Sequence, residues 1–253
     1  MNTLTGTTAL VTGASSGIGE TTALSLAAAG ARVALVARRG ERLDDLADRI
    51  RAAGGSAHPI VADITDAEQA NSAVEQAVAT FGGLDVLVNN AGVMLLGSIE
   101  GAPTEEWDKM IAVNVQGLLY TTRAALPHLL EAAAGERGSA DVINVSSEAG
   151  RTTSPGMGVY NLTKHGVGAF SDALRKEVST RNVRVTLIEP GPVATELFTH
   201  IRPEVLAGWD SEGAKLLHAQ DVADAITYAV TRPARAAVNE ILVRPNGAAE
   251  LAS

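Results

Sequence analysis

An α/β fold, a doubly wound parallel sheet of about seven strands flanked by helices, follows from three features of this 253-residue chain. Short β-branched runs alternate with longer stretches of helical spacing. The runs are apolar almost throughout, as strands covered on both faces must be. The first run ends in a glycine-rich turn that leads into a helix.

The predicted strands are 7–12 (TTALVT), 32–37 (RVALVA), 57–62 (AHPIVA), 85–90 (DVLVNN), 141–146 (DVINVS), 183–189 (VRVTLIE) and 240–243 (EILV). Between them, Leu43, Leu46, Ala47 and Ile50 fall on one helical face, as do Ala70, Val74, Ala77, Val78 and Phe81. Strand–helix alternation implies right-handed crossovers and a parallel sheet. Residues 1–253 read as a single domain without linker, repeat or low-complexity tract. Residues 132–140 (AAAGERGSA) read as a loop before the fifth strand. The stretch 196–216 reads as helical, within a substrate lid expected at about 193–218.

Composition narrows the function. The net charge is −9 and no Lys/Arg run is longer than two residues, so no basic stripe exists for nucleic acid. The absence of cysteine excludes a disulfide framework, a zinc–thiolate site and a cysteine nucleophile. No metal is expected. No apolar stretch reaches membrane-spanning length, and the N-terminus enters a strand without a basic, apolar leader. The expectation is a cytoplasmic protein with no membrane partner.

The glycine-rich turn is Thr12-Gly-Ala-Ser-Ser-Gly-Ile-Gly19. Gly13, Gly17 and Gly19 let the backbone turn and approach a pyrophosphate at a helix N-terminus, beside Ser15, Ser16 and Ile18. The spacing is neither G-x-G-x-x-G nor a P-loop. A plain structural turn and a methyltransferase loop are the competing readings. The end of the second strand discriminates further. Binders of NAD of this Rossmann-like architecture usually carry a carboxylate there. This chain has Arg38 and Arg39, and a guanidinium clasps a 2′-phosphate in bidentate fashion. That predicts NADP(H) in preference to NAD(H), unless both arginines are merely solvated.

Tyr160 and Lys164 stand at i, i+4 in a helical segment, on one face. A phenol beside an ammonium has its anionic form stabilised and its pKa lowered. Such a tyrosine is a candidate acid or base near neutral pH.

With these motifs in order, the chain resembles the short-chain dehydrogenases/reductases over essentially its full length. The resemblance carries TGASSGIG (12–19), Asp63 and Ile64 in VADIT, and Asn90, Ala91 and Gly92 in NNAG (89–92). It also carries Asn114 in VNVQG, Ser147 in INVSSEAG, the Tyr160–Lys164 pair, and Pro190, Gly191, Val193 and Thr195 in PGPVAT. Ser147 rather than Ser146 lies thirteen residues before the tyrosine, the family's spacing.

The resemblance implies a hydride-transferring oxidoreductase acting on a small carbonyl or alcohol substrate. Tyr160 would be the general acid/base, Ser147 would hold the substrate oxygen, and Lys164 would hold the nicotinamide ribose. Asn114 would hold a water on the proton path. It also implies a homodimer or homotetramer through helices at about 104–133 and 158–181. NNAGVMLLG, TRAALPHLL and VNEILVRP are similar to a bacterial branch with clavulanate-type aldehyde reductases and NADP-dependent serine or 3-hydroxy-acid dehydrogenases. A cofactor-sensing Rossmann protein without turnover is the alternative. The substrate pocket is expected from Met94, Leu95, Leu96 and Ser98; Glu148 to Arg151; Met157; and Leu197, Phe198, Ile201 and Trp209. Glu148 and Arg151 are expected to pair with each other; otherwise Arg151 faces the pocket and holds a substrate carboxylate.

Overall fold

A computed structural model of the chain describes residues 4–206 and 215–247. Its seven strands are β1 (Thr8–Thr12), β2 (Arg32–Ala37), β3 (Ser56–Val61), β4 (Val86–Asn89), β5 (Ala140–Val145), β6 (Val183–Pro190) and β7 (Glu240–Val243). They form one sheet in the order β3-β2-β1-β4-β5-β6-β7. All neighbours pair in parallel. The winding direction reverses between β1 and β4, which opens a crevice at the carboxyl ends of those strands.

The alternation of side chains explains why the strand sequences are apolar throughout. In β1, Ala9 and Val11 enter one core and Leu10 the other. The first core packs the sheet against α1 (Gly17–Ala28), α2 (Gly40–Ala52) and α8 (Ala219–Val230), through Leu26, Leu43, Leu46, Ile50 and Ile226. The second packs it against α3 (Ala67–Phe81), α5 (Leu118–Ala133) and α6 (Gly158–Val178), through Val74, Ala77, Leu129, Leu174 and Val178.

Two buried polar clusters cross the layers. Asn89 at the end of β4 donates to Asn144 Oδ1 on β5 and to Thr122 on α5, both at 2.9 Å. It accepts from Thr121 at 2.6 Å, while Asn144 donates to Ser171 on α6 at 2.8 Å. At the opposite end of the strands, Arg184 and Arg137 converge on the buried carboxylate of Asp141, at 2.7 Å each. Arg137 comes from the loop before β5 and also donates to the Val230 carbonyl at the end of α8. That loop is thereby pinned at the end of the sheet away from the crevice.

The strand bounds differ from the predicted ones by no more than two residues, within the ordinary fraying of element ends. Two helices differ more. The helix expected over 104–133 consists of α4 (Thr104–Ile111), a π-helical turn (Ala112–Gly117) and α5. The stretch expected to be helical from 196 breaks into a 3-10 turn (Glu196–His200) and α7 (Pro203–Leu206). Ile201 between them is extended, and Pro203 disfavours helical backbone at the residue before it. The rest of the expected lid at 207–214, including Trp209, lies outside the described residues.

Candidate active site

The crevice is a cavity of about 400 Å³. Its floor begins where β1 turns through Gly13, at φ 67°, into α1. Thr12 Oγ1 accepts from the backbone N–H groups of Asn90 and Ala91 at 3.0 and 3.1 Å. Asn90 Nδ2 donates back to the Thr12 carbonyl at 3.0 Å. The ends of β1 and β4 are thus locked together under the loop. Gly19 sits beneath this lock: a Cβ there would lie 2.4 Å from both Asn90 Nδ2 and the Gly13 carbonyl. Ser16 is the N-cap of α1 but makes no side-chain cap, so the first N–H groups of that helix lack a side-chain acceptor.

Arg39 leaves the end of β2 and lies across the glycine loop. Its Nε donates to Ser15 Oγ at 3.0 Å and its Nη2 to Ser16 Oγ at 2.8 Å. Arg38 is more exposed, with only a 3.9 Å ion pair to Asp63. Asp63 turns its other oxygen onto the backbone N–H and hydroxyl of Thr65.

At the far end stand the polar residues of β5 and α6. Ser147 is extended and caps a 3-10 turn (Glu148–Gly150), accepting from Ala149 N at 3.1 Å. Its hydroxyl donates to the Pro190 carbonyl at 3.4 Å and lies near enough to Tyr160 to favour the phenolate. Adjacent Ser146 is directed elsewhere and donates to the Lys164 carbonyl at 3.0 Å. Lys164 Nζ donates to the Val145 carbonyl at 3.0 Å. Asn114, in the π-helical turn, accepts from Val93 N at 2.8 Å and donates to Val93 O at 2.9 Å.

The structure brings nearly all of the predicted residues to one cavity wall. Gly13, Ser15, Ser16, Gly17, Ile18, Arg38, Arg39, Asp63, Ile64, Asn90, Ala91 and Gly92 line it. So do Ser147, Tyr160, Lys164, Pro190, Gly191, Val193 and Thr195. Gly19 does not; its role is packing under Asn90. Asn114 is not part of the wall; its side chain accepts from Val93 N and donates to Val93 O and to Thr163 Oγ1. Sequence reasoning missed Thr65, Val113, Glu196 and His200, which also line the cavity. Glu196 and His200 lie in the 3-10 turn that replaces the expected helix.

Such a wall matches a known family. The sequence matches the short chain dehydrogenases over residues 7–206. The chain belongs to the short chain dehydrogenase family. It is an oxidoreductase acting between CH–OH and C=O. An uncharacterized oxidoreductase of Staphylococcus aureus is 39% identical over 245 residues, 97% of this chain and 100% of that one. Among solved structures, a metagenomic short-chain oxidoreductase in complex with NADP is similar at a TM-score of 0.81 and 32% identity, over 96% of this chain and 99% of that one. A 3-ketoacyl-(acyl-carrier-protein) reductase from Brucella melitensis complexed with NADH is similar at 0.84 and 32%, over 96% and 98%.

Two expectations are corrected within this dehydrogenase. Tyr160 does not have a lowered pKa in the protein alone: burial pushes it up to about 12, with Ser147 opposing. Burial also pushes Lys164 down to about 8. For Tyr160, loss of water outweighs what Ser147 gives the phenolate. Glu148 and Arg151 do not pair either. Arg151 turns to Glu189 at 2.7 Å and Glu240 at 2.6 Å, on β6 and β7. Glu148 pairs instead with Arg244 at 2.6 Å, just past β7. Arg151 therefore does not line the cavity.

The remaining residues expected around the substrate divide. Met94, Glu148, Ala149, Met157, Leu197 and Phe198 line the cavity. Leu96 and Ile201 are buried beside Tyr160 in a small apolar cluster behind it. Among the described residues, no helix is long and apolar enough to cross a membrane.

Proposed function

We propose that the protein is a single-domain, NADP(H)-preferring oxidoreductase in which Asn114, Ser147, Tyr160 and Lys164 form the catalytic group. One observation carries this reading. Ser147, Tyr160 and Lys164 line the same cavity as the glycine loop and the two arginines after β2. The residues fit a dinucleotide: the start of α1 lacks a side-chain cap, and Gly13, Gly17 and Gly92 bring bare backbone to the cavity. Gly13 to Ile18 would hold the pyrophosphate, Asp63 and Ile64 the adenine side, Arg38 and Arg39 the 2′-phosphate. Asn90 to Gly92, Lys164 and Pro190 to Thr195 would hold the nicotinamide half. Bound there, the nicotinamide gives or accepts the hydride.

The chain's own residues manage the proton and the oxygen. Burial keeps Tyr160 protonated at neutral pH, with its pKa at about 12, so it is a proton source for a carbonyl oxygen. In alcohol oxidation it takes that proton back. Ser147 donates to the same oxygen and stabilises charge there. Lys164, at about 8, still carries its charge at neutral pH and favours the phenolate when the proton leaves. Asn114 holds the Val93 backbone, and with it the Gly92 turn beside Lys164.

The substrate end is apolar, with Val93, Met94, Met157, Leu197 and Phe198 packed around Tyr160. Arg151 is tied off, so uncharged small aldehydes, ketones and alcohols are the favoured class. By the same reading the protein is cytoplasmic, which its lack of cysteine suits, and works as a homodimer or homotetramer. Mixing it with NADPH and a panel of carbonyl compounds, while following nicotinamide absorbance, tests the proposal. Turnover of any panel member is the expected result. Tight NADPH binding without turnover across the panel would replace it with a cofactor sensor.

A further inference from the structure

Glu196 is the first residue of the 3-10 turn after β6, 157 residues from Arg39 in sequence. Its carboxylate joins two cations. Oε2 accepts from Arg39 Nη1 at 2.9 Å, and Oε1 accepts from Arg42 Nη1 at 2.7 Å. Arg39 is the same guanidinium that lies on Ser15 and Ser16, so all three of its nitrogens are engaged. Arg42, in the first turn of α2, lines a shallow cleft with Ser16, Gly17 and Glu196 next to the main cavity. The carboxylate is thus a two-oxygen anion bridging two arginines beside a phosphate-type loop. A phosphate monoester makes the same demand on those donors.

Resting on the cofactor reading above, we propose that Glu196 is a specificity-determining residue that competes with the cofactor 2′-phosphate for Arg39 and Arg42. The arginines after β2 favour the phosphorylated cofactor. Glu196 restrains that preference by occupying one Nη1 donor of each and adding a negative charge where the phosphate dianion would settle. NAD(H) lacks the 2′-phosphate and does not meet the competition. The two arginines lower the pKa of Glu196 to about 2, so it stays ionised across the working range and is a permanent competitor. Neither Arg38, which points to Asp63, nor the Ser15 and Ser16 hydroxyls would be displaced.

The test titrates the whole protein with NADP+, NAD+, 2′,5′-ADP and 5′-AMP by calorimetry, in the wild type, Glu196→Gln and Glu196→Asp. Glu196 is on the surface, and both replacements keep a polar side chain: Gln keeps the length without the charge, and Asp keeps the charge one methylene shorter. Exposed ion pairs are individually weak, so Glu196→Gln is expected to raise the NADP+/NAD+ affinity ratio by about five- to tenfold. The 2′,5′-ADP/5′-AMP ratio should rise with it, while Glu196→Asp, which keeps the charge, stays near wild type. A purely structural role would alter all four ligands together. An unchanged or lowered ratio in Glu196→Gln, with wild type binding NADP+, overturns the competition and leaves the cofactor reading standing. Wild-type protein that binds none of the four ligands overturns both.

Discussion

Lys164 places its ammonium nitrogen 5.8 Å from the centre of the Tyr160 ring, and both side chains are buried. Spacing alone predicts that such a pair lowers the tyrosine pKa. Burial reverses the outcome, taking Tyr160 up to about 12 and Lys164 down to about 8. The two groups resist ionising in the chain by itself, and that has a measurable signature.

Unfolded, Lys164 titrates near its ordinary 10.5; folded, it titrates at about 8. Between those values the unfolded chain binds more protons, so this group makes stability rise with pH. The gain is about 1.4 kcal/mol per pH unit within the window, on the order of 3 kcal/mol in all. Below the window the buried ammonium is a constant penalty. Lys164→Met removes the titration. Urea unfolding of both proteins between pH about 7 and about 10 should show the wild type gaining on the variant by that amount. A difference that stays flat contradicts the burial argument. Tyr160, with its pKa raised from 10.0, acts in the opposite sense only at higher pH.

Replacing Tyr160 by Phe removes the hydroxyl that meets Ser147 and leaves the ring in its apolar cluster. The proposed proton transfer is worth about 10²–10⁴ in rate. Turnover should fall by that factor while NADPH affinity remains within about threefold. Near-normal kcat in Tyr160→Phe would remove this residue from the mechanism.

Gly19→Ala should damage the loop rather than the chemistry. The new methyl meets a backbone carbonyl and the Asn90 amide at 2.4 Å, and neither can withdraw without unlocking β1 from β4. Overpacking of this kind costs about 1–3 kcal/mol. The variant is expected to melt lower and to bind dinucleotide at least about tenfold more weakly. Unaltered binding and melting would mean that the loop yields more easily than its hydrogen bonds suggest.

Arg151→Met tests the corrected pairing. Glu189 is buried, and Arg151 supplies its cation. Leaving that carboxylate unpaired should destabilise the protein by about 2 kcal/mol or more, with Glu240 on the exposed side contributing little. Because Arg151 stands outside the cavity, KM for carboxylated and uncharged substrates should move together. A selective loss for carboxylated substrates would return Arg151 to the substrate.

The sheet was legible because its inner strands are covered on both faces, and an unbroken apolar run such as Val33 to Val36 is what a doubly covered strand requires. The cavity residues were legible where they are contiguous in sequence or fixed by helical spacing, as in Gly13 to Ile18 or Tyr160 and Lys164. Pairings across the sheet were not. Glu148 and Arg151 are three positions apart, and nearness suggests an ion pair. The sheet instead delivers Glu189 and Glu240, 38 and 89 positions away, to Arg151. The same holds for Glu196 and Arg39. Asn114 was legible as a residue but its π-helical turn was not, since nothing in AVNVQG marks the extra residue per turn.

The reversal of winding between β1 and β4 has a consequence for how this protein can change. The arginines lie on the β2 side of it, and Ser147, Tyr160 and Lys164 on the β5 side. The two groups meet through the Asn90 lock on Thr12 and Gly13, and through Glu196, which follows β6 and reaches Arg39 and Arg42. Under the proposals above, cofactor choice rests on residues 37–42 together with Glu196, and bond-making chemistry on Ser147, Tyr160 and Lys164. Exchanging residues 37–42 together with Glu196 is expected to retune which dinucleotide is held while the proton-handling half keeps its shape.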